Sequence, residues 1–389
     1  MATAPECDFD LYSDDFIADP WPKYAAMRRL GPVVWLPRHG NYALTRCKEI
    51  REAVRNHQDF CSGNGVAGDR FGCQFLQGNT VASDPPRHTQ LREVMAPPLT
   101  PSELESVRPG IERAADDLVS SLMARDEFDA VSDLAHYLPL TLVRELVGLP
   151  DFGKANMLKW AAAAFNILGV QNDRGRTAIA DVEEMRCFIK SGLARENVQT
   201  GSWIARVLDL EETGEIDPDL APYAIRDYIN PSLDTTISAI GQLIWQLGSN
   251  PEEWIRLKQN PGLILNAAHE AVRLGTPIRT FSRQTTRSLT IGGVDLPSDA
   301  RVMMLFASAN RDEGVFDNPD RFDVGRNNRR HLGFGAGIHM CVGMHLALVE
   351  MSAILKAMLE RVSEIEVGIP STAMNNTICA FSSLPARFR

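Results

Sequence analysis

Apolar residues recur at helical spacing over long parts of the chain. They do so over residues 104–125 and 223–247, and a last helix of this kind is expected over residues 342–361. The second pattern contains Pro231, which has no N–H to donate to the carbonyl of Asp227. The spacing therefore predicts long helices, one of which is expected to kink at its proline.

Shorter runs of β-branched and aromatic residues predict strands. Residues 31–36 and 41–45 are typical of strands, and residues 288–306 predict further strands that turn at 292–293. Residues 307–337 then lack a regular pattern, and an irregular stretch of this length is usually functional. The chain is therefore predicted to be mainly α with small β-sheets.

Composition narrows the class of protein. Residues 1–389 are expected to form one domain, since 44% of the residues are hydrophobic and can build a large core. The formal net charge of -10 argues against nucleic-acid binding. The longest apolar stretch, at 160–170, is too short to span a bilayer, and the first residues do not resemble a secretory signal. The seven cysteines form no C-x-x-C pair, which suits reduced thiols. We therefore expect a cytoplasmic protein that binds neither nucleic acid nor a membrane.

Residues 334–343 (FGAGIHMCVG) contain the most specific candidate, Cys341. A thiolate there is suited to be the axial ligand of a haem iron, and this ligand type favours O–O bond cleavage. Glycines at positions 335 and 337 allow a tight turn against a flat cofactor, and the N–H groups after Cys341 can hydrogen-bond the sulfur. A buried structural cysteine in a glycine-rich loop is the alternative. The spacing resembles the haem-binding loop of the cytochrome P-450 family.

The resemblance to that family covers essentially the whole chain. It implies a fold in which haem b is sandwiched between a long distal helix and the proximal helix that follows the cysteine, with Cys341 as the iron ligand. Phe334 would cover one side of the sulfur, and Gly343 would leave room for the porphyrin. Partners for the anionic haem propionates are implied at four positions, although each side chain could instead be a solvated surface residue: His88, Arg92, Arg283 and His339.

Glu270 and Arg273 stand three residues apart on one predicted helix, so they share a helix face. A surface ion pair is the ordinary interpretation of such a spacing. In the family this pair meets an arginine from the long irregular stretch, and the match here is Arg321. The resemblance therefore implies a buried Arg–Glu–Arg cluster with a structural role beneath the haem.

Asp234 and Thr235 stand on the predicted distal helix and resemble the acid and alcohol pair of the family. The resemblance implies that both are catalytic: Thr235 hydrogen-bonds oxygen during its activation, and Asp234 relays protons. Capping and back-bonding are the ordinary roles of such residues. Pro231 and Ser232 depart from the small residues usual there. The proline is expected to distort the helix, whereas the Ser232 hydroxyl could either hold a water molecule or crowd the oxygen site.

Residues 60–62, 308–312 and 375–377 look closest to the family branch that oxidises para-substituted aromatic acids. Nine side chains are then implied to line a pocket for a small aromatic substrate, although core packing would explain each of them equally well: Phe75, Leu76, Phe165, Leu168, Asp227, Asn230, Ile278, Phe281 and Ile378.

Asp227 changes the expected substrate. In that branch an arginine and hydroxyl groups hold the substrate carboxylate, but this chain has Phe75 at the position matched to the arginine and Asp227 at that of a serine. An ionised aspartate repels a carboxylate. Neutral methoxyphenol-like or cationic aromatics are therefore expected to bind better than the matching acids, unless Arg70 or Arg279 supplies a replacement anchor.

The resemblance carried by these residues implies an electron-driven monooxygenase that inserts one oxygen atom of O2 into a small aromatic by hydroxylation or O-demethylation. A ferredoxin- or flavodoxin-type protein is the implied electron donor, and Arg326, Arg329 and Arg330 form a candidate basic docking patch. A peroxide-driven peroxygenase is the alternative that the Asp234–Thr235 pair disfavours. A non-catalytic haem sensor is a third interpretation.

Overall fold

The computed structural model describes residues 3–191, 193–327 and 330–389, and helices dominate this part of the chain. The α-helices of the first half are α1 (Asp14–Ala18), α2 (Trp21–Leu30), α3 (Cys47–Arg55), α4 (Arg70–Phe75), α5 (Arg87–Met95), α6 (Pro101–Met123), α7 (Arg144–Val147), α8 (Asp151–Ile167) and α9 (Asp173–Ser191). Those of the second half are α10 (Trp203–Glu212), α11 (Ala221–Ile229), α12 (Asp234–Ser249), α13 (Pro251–Gln259), α14 (Ile264–Gly275), α15 (Phe306–Ala309) and α16 (Met344–Arg361).

The strands are short and gather in small sheets. They are β1 (Val33–Leu36), β2 (Asn41–Leu44), β3 (Phe60–Cys61), β4 (Phe128–Asp129), β5 (Phe281–Thr285), β6 (Leu289–Ile291), β7 (Val294–Leu296), β8 (Arg301–Met304), β9 (Ile365–Val367), β10 (Ser371–Thr372), β11 (Phe381–Ser383) and β12 (Pro385–Phe388). The largest sheet has the order β1-β2-β8-β5-β3, in which β2 and β8 are parallel and the other neighbours antiparallel. A second sheet has the order β4-β12-β9, while β10 pairs with β11 and β6 with β7.

Two hydrophobic cores hold these elements together. In the larger core, α6 packs along α16, and its buried face includes Leu104, Ile111 and Leu118, which recur at helical spacing. The smaller core lies between the five-stranded sheet, α2 and α3. Within the described residues, every helix is too short or too polar to cross a lipid bilayer.

The sequence predicted several of these elements. Helix α6, the strands β1 and β2, and the strands β6 to β8 confirm the predictions for their regions. Helix α16 begins at Met344, so Cys341 lies in the loop just before it. The irregular stretch predicted over residues 307–337 is confirmed in part: residues 310–327 and 330–336 contain neither helix nor strand, whereas residues 307–309 belong to α15 and Gly337 begins a short 3-10 helix.

The predicted helix over residues 223–247 is wrong as a single element. The structure divides it into α11 and α12, with residues 230–233 outside either helix. The reason is the one that predicted a kink: Pro231 cannot donate to the carbonyl of Asp227, so the helical hydrogen-bond pattern is lost there. Instead of the expected kink, the helix is interrupted completely, and residues 230–232 of the interruption line the cavity described below.

Candidate functional site

An internal cavity lies between the Cys341 loop and the break that separates α11 from α12. Its walls come from α5, α8, α11, α12, β5 and the loop around the cysteine. Most lining side chains are apolar, and among the described residues Arg92 and Arg283 are the arginines that line it. Such a composition suits a largely apolar ligand that is oriented by a few polar contacts.

The loop that carries Cys341 is held in a tight turn. The Cys341 N–H donates to the Phe334 carbonyl at 2.8 Å. Gly335 and Gly337 have φ values of 70° and 71°, which residues with a Cβ rarely adopt. A Cβ on Gly337 would also lie 2.4 Å from the carbonyl oxygen of Val54. The tight turn predicted from the two glycines is therefore confirmed.

The Cys341 sulfur receives backbone hydrogen bonds. Burial raises the pKa of Cys341, while the N–H groups of Gly343 and Met344 and the charge of Arg92 lower it. These donors favour the thiolate, which is the form that binds metals. The side chain is open to the cavity, which it lines together with Phe334 and Gly343.

Arginine and imidazole groups gather at one end of the cavity. The rings of His88 and His339 meet edge to face, with centroids 4.5 Å apart. Burial lowers the pKa of His339, and the charges of Arg283 and Arg92 lower it further. Burial also lowers the pKa of Arg283, to about 10, so this side chain remains a cation at neutral pH. The structure thus brings the four predicted residues together, although His88 stands behind His339 and does not itself line the cavity.

These residues fit a flat cofactor with anionic side groups. The Nε2 atoms of His88 and His339 are buried and have no hydrogen-bond partner among the described residues. Arg92 and Arg283 supply positive charge beside them. A Cβ added to Gly343 would meet no described atom closer than the Cys341 sulfur, at 3.9 Å, so the glycine leaves open space next to the thiol. The donor set suits a haem with a thiolate-bound iron and with propionates that face the cations.

Two side-chain hydroxyls stabilise the break between α11 and α12. Ser232 Oγ donates to the Tyr228 carbonyl, and Thr235 Oγ1 donates to the Pro231 carbonyl at 2.9 Å. In a continuous helix, backbone N–H groups would occupy these carbonyls. The Ser232 hydroxyl is therefore bonded to the backbone, a role that the sequence did not predict. Thr235 lines the cavity, as expected from its position.

Asp234 begins α12 and lies behind the cavity wall. It is not among the described residues that line the cavity, whereas Thr235 and Thr236 are. Burial raises the pKa of Asp234 to about 7. Its carboxyl group therefore gains and loses a proton near neutral pH, which is the property needed in a proton relay.

The Arg–Glu–Arg cluster exists, but its third member is Arg326 and not Arg321. The side chains of Arg273 and Glu270 are fully buried and form a two-pronged ion pair with N–O distances of 2.8 Å. Arg326 Nε donates to Glu270 Oε1 at 2.9 Å. Arg321 offers its carbonyl to Arg273 at 3.3 Å, while its own side chain is 60% exposed and turns to Glu253. The prediction for Arg321 is wrong because this residue reaches the cluster through its main chain.

Most of the predicted substrate-pocket residues line the cavity, namely Leu76, Phe165, Leu168, Asp227, Asn230, Ile278 and Phe281. Phe75 does not, because its ring stacks on Phe71 and lies 4.1 Å from the Arg186 guanidinium. Ile378 does not either, because it is buried in the larger core and forms a β-bridge with Ile278. The predictions for Phe75 and Ile378 are therefore wrong.

The two arginines considered as replacement anchors also lie away from the cavity. Arg70 is exposed at the start of α4. Arg279 is buried, but its guanidinium donates to the Asn375 carbonyl. Neither side chain lines the cavity within the part of the chain that the structure describes.

Asp227 places a buried carboxyl group on the cavity wall. Its Oδ2 accepts a hydrogen bond from the Thr80 N–H at 2.9 Å. Burial raises the pKa of Asp227, and the charge of Arg226 and the hydrogen bonds from Thr80 oppose that rise. Asn230 follows three residues later and also lines the cavity. The α11 side of the cavity is therefore rich in hydrogen-bond acceptors.

The sequence missed several small or apolar members of the wall, such as Val81, Ala164 and Ala239. Ala239 lies four residues after Thr235, so helical periodicity could have placed it on the same face. Ala164 adjoins the predicted Phe165. For Arg326, no sequence pattern distinguishes it from the other arginines of the irregular stretch.

Comparison with known proteins gives one consistent family. The family model for cytochrome P-450 matches residues 262–380. Cytochrome p450 CYP199A2 of Rhodopseudomonas palustris is 34% identical, over 99% of this chain and 94% of its own length. Linalool 8-monooxygenase of Pseudomonas putida is 31% identical, over 92% of each chain.

Solved structures share the whole fold. The Mycobacterium marinum cytochrome P-450 CYP268A2, in complex with pseudoionone, superposes with a TM-score of 0.88 and 26% identity over 100% of both chains. CalO2 superposes with a TM-score of 0.85 and 26% identity, over 98% of this chain and 99% of its own. These likenesses cover the cavity and every element around it.

Proposed function

The chain belongs to the cytochrome P-450 family of haem-thiolate monooxygenases, and we propose that its substrate is a small aromatic compound that is neutral or cationic. The reaction would be hydroxylation or oxidative O-demethylation, with one oxygen atom of O2 entering the substrate. The enzyme would act in the cytoplasm with a ferredoxin- or flavodoxin-type electron donor. The observation that carries the substrate class is the cavity lining, which is mostly apolar, carries the carboxyl group of Asp227 on α11, and has its two arginines beside His339 at the cysteine end.

The cysteine end would hold the cofactor. Cys341 would bind the haem iron, and the propionates would face His88, Arg92, Arg283 and His339. When bound, the haem supplies the iron centre at which O2 is activated. The N–H groups of Gly343 and Met344 would draw electron density from the sulfur through hydrogen bonds.

Residues at the break between α11 and α12 would deliver protons to the cavity. Thr235 lines the cavity, and its hydroxyl group donates to the Pro231 carbonyl, so its oxygen is oriented to accept a hydrogen bond from a water molecule. Asp234 precedes Thr235 on α12, and its pKa of about 7 would allow it to pass protons to that water. The apolar lining limits bulk water, so protons would arrive by this route rather than from solvent at random.

On the α11 side, the described residues that line the cavity include no arginine or lysine, and Arg226 of α11 lies outside the lining, where its charge acts on Asp227. The arginines that line the cavity, Arg92 and Arg283, lie at the end assigned to the propionates. Burial raises the pKa of Asp227, and wherever the group is ionised it would repel a carboxylate strongly in this low-dielectric cavity. The same group would accept a hydrogen bond from a phenol or pair with an amine. A phenol or an amine therefore fits this wall better than a benzoate does.

Paired optical titrations of the holoenzyme with 4-methoxyphenol and 4-methoxybenzoate test this proposal. We expect the phenol to bind at least about tenfold more tightly, which corresponds to about 1.4 kcal/mol. Asp227→Asn is the matched control, because it keeps an acceptor for the Thr80 N–H and removes the charge. In that variant the benzoate should gain about tenfold in affinity. Tighter benzoate binding by the unmodified enzyme, unchanged in Asp227→Asn, would overturn the proposal.

Turnover experiments test the reaction class. Product should form with a ferredoxin, its reductase and O2, and mass spectrometry should locate one oxygen atom from O2 in the product or in the released aldehyde. Turnover with hydrogen peroxide but not with the reductase system would indicate a peroxygenase instead. Spectral binding without turnover under either condition would favour a sensor.

The structure changes the predicted docking surface for the electron donor, which consisted of Arg326, Arg329 and Arg330. Arg326 is bonded to Glu270 and is unsuited to docking, and Arg329 lies outside the described residues. Arg330 is exposed, and Arg55 is exposed at the end of α3, where its Cα would lie 3.2 Å from a Cβ on Gly337. Arg55 and Arg330 would therefore receive an acidic donor beside the cysteine loop.

A further inference from the structure

We propose that Asn376 is a positioning residue, which fixes one wall of the cavity and thereby slows the entry and exit of larger ligands. Asn376 lies outside the cavity and is 1% exposed. The wall in question is formed by Phe165, near the end of α8, and by Leu168, in the loop of residues 168–172 that joins α8 to α9. The inference deepens the proposed function, because it concerns entry to the same cavity.

Asn376 is bonded to the end of α8. Its N–H donates to Asn166 Oδ1 at 3.0 Å, and its Nδ2 donates to the Asn166 carbonyl at 2.9 Å. Asn166 follows Phe165 directly and precedes Leu168 by two residues. The two wall residues therefore flank the point at which Asn376 holds the backbone.

A reciprocal amide pair extends this contact to the start of α9. Asn376 Nδ2 donates to Asn172 Oδ1 at 2.9 Å, and Asn172 Nδ2 donates to Asn376 Oδ1 at 2.9 Å. Arg174 Nε donates to the same Oδ1 at 3.1 Å. Gly169 approaches so closely that a Cβ there would lie 2.4 Å from the Asn376 Cβ. Both polar atoms of the buried Asn376 amide thus connect the end of α8 to the start of α9, across the short loop between them.

The loop cannot move outward without leaving this amide unpaired in the protein interior, which is unfavourable. Its other side is held independently, since the Gln171 N–H donates to Asp69 at 2.7 Å. Loss of the Asn376 amide should therefore loosen the loop without detaching it. A ligand that fits the closed cavity should bind at nearly the same rate when the loop is looser. A larger ligand can enter only when the wall of Phe165 and Leu168 moves.

Stopped-flow binding of imidazole and 4-phenylimidazole to the ferric holoenzyme tests the inference. Both probes bind haem iron whatever the natural substrate is, so the result is independent of the substrate class proposed above. In Asn376→Ala, association and dissociation of 4-phenylimidazole should each become about tenfold faster. Imidazole rates should change by less than about twofold, with haem content and the spectrum of the reduced carbonyl complex unaltered.

Asn172→Asp is the second variant. It keeps the oxygen that accepts from Asn376 and from the Gly175 N–H at the start of α9, but it removes the donor to Asn376 Oδ1. An intermediate acceleration for 4-phenylimidazole, about threefold, is expected. If Asn376→Ala fails to fold, this variant decides the question. Unchanged 4-phenylimidazole rates in a folded variant, or equal acceleration of both probes, would overturn the proposal.

Discussion

The guanidinium of Arg326 donates to the carboxylate of Glu270 at 2.9 Å and thereby ties the irregular stretch before the cysteine loop to helix α14. Its Nη1 also donates to the Asp317 carbonyl at 2.7 Å. The Arg326 side chain is 12% exposed, so water screens the contact poorly. Glu270 therefore balances two arginines, Arg273 on its own helix and Arg326 from the irregular stretch.

Replacement of Arg326 should destabilise the protein far more than replacement of Arg321. Removing one member of a buried ion cluster leaves charge unbalanced, so Arg326→Ala should lower the free energy of unfolding by about 3 kcal/mol. Arg321→Ala is the matched control from the same stretch, and its exposed side chain should contribute less than about 0.5 kcal/mol. Urea denaturation of the two holoenzymes, followed by circular dichroism, measures the difference. Equal losses would contradict the assignment of the third arginine.

Replacement of Cys341 should remove thiolate ligation. The reduced carbonyl complex of the unmodified enzyme should show the red-shifted Soret band of a thiolate ligand, because the sulfur faces the cavity and accepts two backbone N–H bonds. Cys341→His should lose that band and the oxygenase activity. Cys187→Ser, at an exposed cysteine on α9, should keep both. An unchanged spectrum in Cys341→His would contradict the assignment.

Loss of the Thr235 hydroxyl should uncouple electron use from product formation. Thr235→Ser keeps a hydroxyl that can bond the Pro231 carbonyl, whereas Thr235→Ala does not. Thr235→Ala should still consume reductant but release more hydrogen peroxide, while Thr235→Ser should stay close to the unmodified enzyme. The ratio of product to NADH consumed measures this. Normal coupling in Thr235→Ala would show that Thr236, which also lines the cavity, performs the task.

Asp234 should control the rate of proton delivery. Its pKa of about 7 lets it exchange protons at neutral pH, so Asp234→Asn should reduce kcat by about 10²-fold. The pH profile of kcat should lose the step near pH 7 that this carboxyl group produces. A profile that keeps that step in Asp234→Asn would assign the relay to another group.

The raised pKa of Asp234 also predicts how the free energy of unfolding changes with pH. Asp234 is neutral in the folded protein up to about pH 7, whereas in the unfolded chain it ionises near pH 4. The raised pKa therefore favours the folded state below about pH 4, and this advantage is lost as the pH rises to about 7. Asp234→Asn should lose less stability between pH 5 and pH 8 than the unmodified protein does. Denaturation midpoints at the two pH values test this, and equal losses would contradict it.

Charge reversal beside the cysteine loop should weaken reduction. Arg55→Glu and Arg330→Glu should slow electron transfer from an acidic ferredoxin and reduce its dependence on salt. Substrate titrations should not change, because both side chains lie outside the cavity. Lys190→Glu, at an exposed position on α9, is the control. Reduction rates that match the control would place the docking surface elsewhere.

The sequence predicted the features that the local residue pattern determines. It missed those that depend on which way a side chain points in the folded protein. The helical spacing of α6 and the glycines around Cys341 determine local backbone shape, and both predictions are confirmed. Phe75 was misplaced because neighbouring residues of a helix point about 100° apart. Here Leu76 lines the cavity and Phe75 faces Arg186. Asn376 carries no motif of its own, since its role arises only when α8 and α9 are brought against it.

Pro231 has a consequence for ligand affinity. Where a helix must be pushed out of shape by each arriving ligand, the affinity is reduced by the rarity of the distorted conformation. Here the missing N–H of Pro231 is a covalent feature that no ligand has to produce, and the Ser232 hydroxyl occupies the Tyr228 carbonyl at the break. We therefore expect the receptive conformation to be the resting one, so that the binding rate of small ligands depends on the path they travel and not on a waiting time for the helix to open.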